Sequence, residues 1–215
     1  MKTVLFIAIV KKGTASFFLE KAREAGATGG TILRAEGTIS SPLMNLLGLH
    51  DSKREMLIML VNQNHEARIH QVLAEECQLA RKGKGVLFSF ATSSVYGSHL
   101  LNHPFDKEDP DMSEYQLIAT IVDRDSGDEV VKAAREEGAG GATILHGRGL
   151  GSEKASKIFN IQIEPEKEIV IMIVESQKVH EIVQQINEAM NIDRPGKGII
   201  FTLDVNNATG LFQQK

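Results

Sequence analysis

The chain has 215 residues, with 24 Lys and Arg against 28 Asp and Glu and a formal net charge of -4. Hydrophobic residues make up 42% and charged residues 24%, which excludes disorder over most of the length, and the lack of a basic excess excludes nucleic-acid backbone binding as the main role. One cysteine, Cys77, excludes a disulfide framework and a cysteine-based zinc site, and aromatic residues at 5% with no Trp leave few stacking platforms.

At the N-terminus, the apolar run 4–10 is too short for a signal core and runs straight into Lys11-Lys12, so it reads as a buried strand. No stretch approaches the roughly 18 apolar residues of a membrane helix, and the expected compartment is the cytoplasm. Helical spacing covers 15–25 and stops at Gly26, as a glycine just past a helix would stop it. A Thr-Ile-Leu strand follows at 30–35, then a long mixed stretch, an apolar strand at 56–61, a helix at 65–80 and a strand at 86–91. Residues 96–114 carry Pro104, Pro110 and five acids without periodicity, and read as a linker.

Beyond the linker the order begins again. Strand 117–122 leads to a helix at 128–137 ended by Gly138. Strands follow at 142–147 and 169–174, then a helix at 179–190 and a strand at 199–205. The sequence itself repeats: residues 23–33 and 135–145 are identical at eight of eleven positions, at an offset of 112. The run from Glu55 to Val61 matches Glu168 to Val174, and Gly83-Lys84-Gly85-Val86-Leu87-Phe88 matches Gly196-Lys197-Gly198-Ile199-Ile200-Phe201, both at offset 113. Three blocks in order at a near-constant offset mark a duplication. Each copy reads βαββαβ, so the expected class is α+β, a ferredoxin-like two-layer sandwich duplicated in tandem. The expected domains are 1–95 and 115–215, with 96–114 between them. Helices would cover one face of each sheet, and neighbouring copies the other.

The glycines gather at two places. Gly147-Arg148-Gly149-Leu150-Gly151-Ser152-Glu153-Lys154 follows the second strand of the second copy, and reads either as a backbone cradle for an anion or as a hairpin tip. Arg194-Pro195-Gly196-Lys197-Gly198 and its counterpart Arg81-Lys82-Gly83-Lys84-Gly85 precede the last strands. These suit phosphate capture by amides and cations, or simply a helix C-terminus turning into a strand.

Taken in order, Arg-Glu-x-Gly-Ala-x-Gly-x-Thr-Ile-Leu, Gly-Arg-Gly-x-Gly, a long loop, an apolar strand, a helix and Gly-Lys-Gly-Ile-Ile-Phe-Thr-Leu-x-Val-x-x-Ala resemble the PII nitrogen-regulatory signalling proteins. The resemblance covers both copies and is strongest over 135–154 and 196–208. It implies a ferredoxin-like subunit assembling as a trimer, here three two-domain chains. It further implies a nucleotide, ATP or ADP, in clefts between units, and long loops between second and third strands that dock into a protein partner. Carried over by position, the effector residues would be Thr143, Arg148, Gly149, Gly151, Gly196, Lys197 and Gly198. In the first copy they would be Thr31, Gly37, Gly83, Lys84 and Gly85. The docking loops would present Glu153 and Lys154, and an apolar run with Leu43, Leu46 and Leu47 at helical spacing. The sequence departs from the family where a Lys should follow the second turn glycine (Ile199 and Val86 stand there), and where the loop glutamine aligns with Glu153.

Little else suggests chemistry. His99 and His103 have helical ligand spacing but lie beside Pro104, and read as unliganded. Cys77 reads as a packing residue, and no Ser-His-Asp or paired-carboxylate spacing stands out. The reading is a non-enzymatic regulator that binds a small effector and reports to a partner through its loops; the alternative is a metal-binding or metal-tolerance protein of the same fold. No resident metal is expected on the first reading, and no nucleic acid or inserted membrane as partner.

Overall fold

A computed structural model describes residues 2–36, 53–81, 84–98, 101–106, 113–150, 157–158, 161–162, 165–206 and 208. The first unit comprises β1 (Thr3–Lys11), α1 (Ala15–Glu24), β2 (Gly30–Glu36), β3 (Lys53–Asn62), α2 (Glu66–Glu76) and β4 (Gly85–Ala91). A short strand β5 (Ser94–Tyr96) leads to the second unit: β6 (Tyr115–Asp123), α3 (Gly127–Glu136), β7 (Thr143–Leu150), β10 (Glu166–Glu175), α4 (Val179–Met190) and β11 (Gly198–Val205). Two-residue strands β8 (Lys157–Ile158) and β9 (Ile161–Gln162) pair with each other between β7 and β10.

The first unit orders its strands β4-β1-β3-β2, and the second orders the equivalent strands β11-β6-β10-β7. Every pairing is antiparallel. This is the ferredoxin-like arrangement, two βαββαβ units in succession, as the sequence predicts. The expected α2 is shorter than its 65–80 reading: it ends at Glu76, because Gln78 adopts a left-handed φ of 54° that no helix continues. Helix α1 ends as expected, Gly26 taking φ 116°.

The apolar runs of β1, β3, β6 and β10 are continuous rather than alternating because these central strands are covered on both faces. Along β1, Phe6, Ala8 and Val10 meet the helices in a core with Phe18, Leu19, Ile69 and Leu73. In the second unit Val170, Met172 and Val174 of β10 do the same against Val130, Ile182 and Ile186. The alternate residues face a third core drawn from both units, with Leu5, Leu33 and Leu60 against Ala119, Ile121, Ile169 and Phe201. Each large side chain buried this way contributes roughly 1.5–3 kcal/mol. The second face of each sheet is thus buried, as expected, by a neighbouring copy, and that copy is the other half of the same chain.

Two seams join the units. On one side β2 pairs antiparallel with β7, from Gly30 opposite Leu150 to Leu33 opposite Gly147. On the other, β5 leaves β4 and pairs with β11, Val95 opposite Phe201. Within the 96–114 stretch, Leu101 and Phe105 are buried, and the Phe105 amide donates to the Tyr96 hydroxyl at 2.9 Å. The start of that stretch is packed chain rather than an extended tether.

Candidate functional site

The β2–β7 ladder stops at Leu33 and Gly147, and beyond it an open cleft of about 1090 Å³ lies between the strands. Arg34 and Ala35 of β2, Lys53 to Glu55 of β3 and Lys12 beyond β1 line it from the first unit. His146, Gly147 and Arg148 of β7 and Glu166 of β10 line it from the second. Among the described lining residues, five permanent cations therefore face two carboxylates, in a chain whose formal charge is -4. A concave surface with this excess focuses positive potential.

One carboxylate is held internally. Glu55 is 6% exposed and accepts from the Ala15 amide at the start of α1, 3.1 Å away, through one oxygen. Its other oxygen accepts from Arg148 of the second unit at 2.9 Å. The repeat does the same at Glu168, 5% exposed, which takes the Gly127 amide at the start of α3 at 2.7 Å. There its second oxygen lies 3.4 Å from His146 Nδ1 instead of an arginine. The first helix of each unit is therefore capped by a strand carboxylate, while Thr14 and Ser126, the local N-cap residues, make no side-chain cap bond.

The glycines of β7 serve close approach. A Cβ at Gly147 would stand 2.6 Å from Leu33 Cδ2 and 2.8 Å from the Ile32 carbonyl oxygen, so the seam requires hydrogen there. A Cβ at Gly149 would meet the Lys167 stem at 2.8 Å. Of the sequence-expected effector residues, Thr31 and Gly149 face each other across the seam, with Arg148 beside them opposite Ile32. Thr143, at the other end of β7, is exposed. Gly85 and Gly198 do not line the cleft. A Cβ on Gly85 would stand 2.6 Å from the Ile9 carbonyl oxygen, and one on Gly198 would stand 2.7 Å from that of Ile121, so both serve the pairing of the last strand with the first. Lys84 and Lys197 are exposed beside them, and Gly196 turns at φ 77° with open space around it. Gly37, Gly83, Gly151, Glu153, Lys154, Leu43, Leu46 and Leu47, with His99, lie outside the described residues.

Glu55 and Glu168 escape the sequence reading, although each opens the repeated apolar-strand block. A charge retained at the same place in both copies of a buried strand was the signal available. Among the described residues no group of three His, Cys, Asp or Glu could hold a metal, and no helix is long and apolar enough to cross a membrane.

Residues 115–214 match the family model described as nitrogen regulatory protein P-II. No curated protein matches the chain. Among solved structures, one similar chain is a PII-like signaling protein from Thermus thermophilus, at 20% identity, covering 42% of this chain and 86% of that one with a TM-score of 0.34. Another is Arabidopsis thaliana PII bound to citrate, at 22% identity, covering 43% and 78% with a TM-score of 0.35. The family match thus falls on the second unit, and the first unit repeats that unit's sequence blocks and strand order.

Proposed function

We propose that this is a PII-like signal-transduction protein, not an enzyme, which binds a small effector between its two units and regulates a protein partner through its two long loops. The observation that carries this reading is the position of the cleft. It lies at the roots of both β2–β3-type connections. Arg34 and Ala35 line it just before residues 37–52, and Gly147 and Arg148 line it just before residues 151–165. An effector there touches the base of each loop, so its binding energy can bias loop conformation. An adenine nucleotide is the effector the family resemblance implies, and nitrogen status the signal. The alternative of a metal-tolerance protein finds no support among the described residues.

The same reading includes assembly of chains, a trimer of two-domain chains in its fullest form. A surface that suits it is the edge of β4 that no described strand pairs, where Val86 and Phe90 are 50% and 48% exposed.

The test is calorimetric titration with ATP, ADP, small organic acids, Cu and Zn, alongside hydrogen exchange. Binding of an organic effector that slows amide exchange in 37–52 and 151–165 supports the proposal. Binding without a change in either loop removes the reporting function, and a response to Cu or Zn alone favours the metal reading.

A further inference from the structure

The cleft is built for charge and not for a flat base. None of its described lining residues is Phe, Tyr or Trp, while Lys12, Arg34, Lys53, Arg54 and Arg148 converge on it from four strands or strand ends. We infer that the seam cleft takes a compact multivalent anion, a di- or tricarboxylate or a phosphate, and that the anion competes with Glu55 for the guanidinium of Arg148. This rests on the reading of the cleft as the effector site and deepens it.

Arg148 is the residue suited to change partners. Its side chain is 39% exposed, and that of Glu55 is 8% exposed. The arginine can turn towards a solute, whereas the carboxylate is fixed by the α1 amide. An arginine fork binds a carboxylate or phosphate as well as it binds Glu55, so an incoming anion replaces one charge-assisted pair with another of the same kind. The exchange has two consequences. It shifts Arg148, one residue from Gly149, whose amide holds the Pro165 carbonyl at the far root of the loop at 2.9 Å. It also leaves Glu55 with the α1 amide alone, so the anion's contacts in the second unit are felt at a helix of the first. The repeat lacks this device, since Glu168 faces His146. The latch is therefore single and directional.

The experiment is calorimetry with citrate, succinate and inorganic phosphate at low and high salt, on the full chain and on three variants. Glu55→Gln keeps an acceptor for the Ala15 amide and removes the competing charge, so it should tighten anion binding roughly threefold to tenfold. Arg148→Gln should weaken it about tenfold or more, and Lys132→Gln, on the exposed face of α3, should leave it unchanged. Affinity should fall with ionic strength, since exposed charges are screened within about 8–10 Å. Circular dichroism establishes that each variant is folded. Citrate and succinate binding without phosphate identifies a carboxylate site, and the reverse a phosphate site. Absence of binding by all three anions, or an unchanged or weakened affinity in Glu55→Gln, overturns the inference. If ATP or ADP binds while these anions do not, the anion class is wrong and the effector reading stands. If an anion binds with the expected variant pattern but loop exchange is unchanged, the site stands and the reporting function fails.

Discussion

Arg148 and Glu55 belong to different repeats, yet they meet at 2.9 Å over the amide of Ala15 that Glu55 also caps. A single carboxylate joins the seam between units to the start of a helix. The equivalent Glu168 caps α3 in the same way but faces His146. Duplication kept the capping role and varied the second contact.

That division predicts unequal costs. Glu55→Gln retains the cap and removes the ion pair, and should cost about 1 kcal/mol or less, because Arg148 is part-exposed and can be solvated. Glu55→Leu removes the cap and leaves the Ala15 amide buried without its acceptor, and should cost about 2–3 kcal/mol. Glu168→Leu should cost a similar amount through Gly127. Urea denaturation of the three variants checks this, and equal losses for Glu55→Gln and Glu55→Leu would remove the capping role.

The glycines separate in the same manner. Gly147→Ala places a methyl against the Ile32 carbonyl and Leu33, and Gly198→Ala places one against the Ile121 carbonyl. Each should destabilise by about 1–3 kcal/mol or more through overpacking. Gly196→Ala meets no atom within 4 Å and strains only a left-handed φ, costing about 1 kcal/mol. A bulky residue at Gly198 therefore tests the β6–β11 pairing before it tests any ligand. Thermal melts of the three alanine variants should rank them this way; a Gly196 variant as unstable as the other two would contradict the packing assignment.

These glycines show how far the sequence could be read. The duplication, the βαββαβ order and nearly every strand follow from hydrophobic runs and repeated blocks, because those runs are long and buried on both faces. The roles of Gly147 and Gly198 could not follow, since a glycine needed for space and one needed for a ligand look alike until the opposing backbone is placed. The same holds for Glu55, whose partners lie 40 and 93 residues away. The cationic cleft was equally hidden: Lys12, Arg34, Arg54 and Arg148 are scattered along the chain and come together only when β2 meets β7. Of the expected effector residues that the structure describes, Arg148 alone lines the cleft with its side chain, beside a seam closed by Thr31 and Gly149.

Cys77 gives a prediction in pH. Burial, reinforced by the neighbouring Glu76 carboxylate, pushes its thiol from 9.0 up to about 11. The folded state therefore holds the proton over a range where the unfolded chain releases it. The associated stability is whole below pH 9 and is lost as pH rises towards 11, on the order of 2 kcal/mol in total. Stability measured from pH 8 to 11 should fall more steeply in the natural protein than in Cys77→Ala, and a thiol reagent at pH 8 should react far more slowly with the folded chain than with the unfolded one. Parallel profiles would contradict the assignment.

The free edge of β4 makes the last prediction. Its pseudo-equivalent β11 is covered by β5, with Val95 opposite Phe201, and Phe201 is 3% exposed. On β4 no described strand takes that place, and Val86 and Phe90 remain about half exposed on the face that continues from the shared core through Ile7. An unpaired strand edge with apolar side chains favours strand addition. If chains assemble, this edge is the surface to expect between them. Val86→Lys with Phe90→Lys would then reduce the sedimentation mass to that of one chain without lowering the melting temperature of the isolated chain. An assembly that survives both substitutions lies on another surface, and a natural protein that sediments as a single chain leaves β4 without a partner of its own kind.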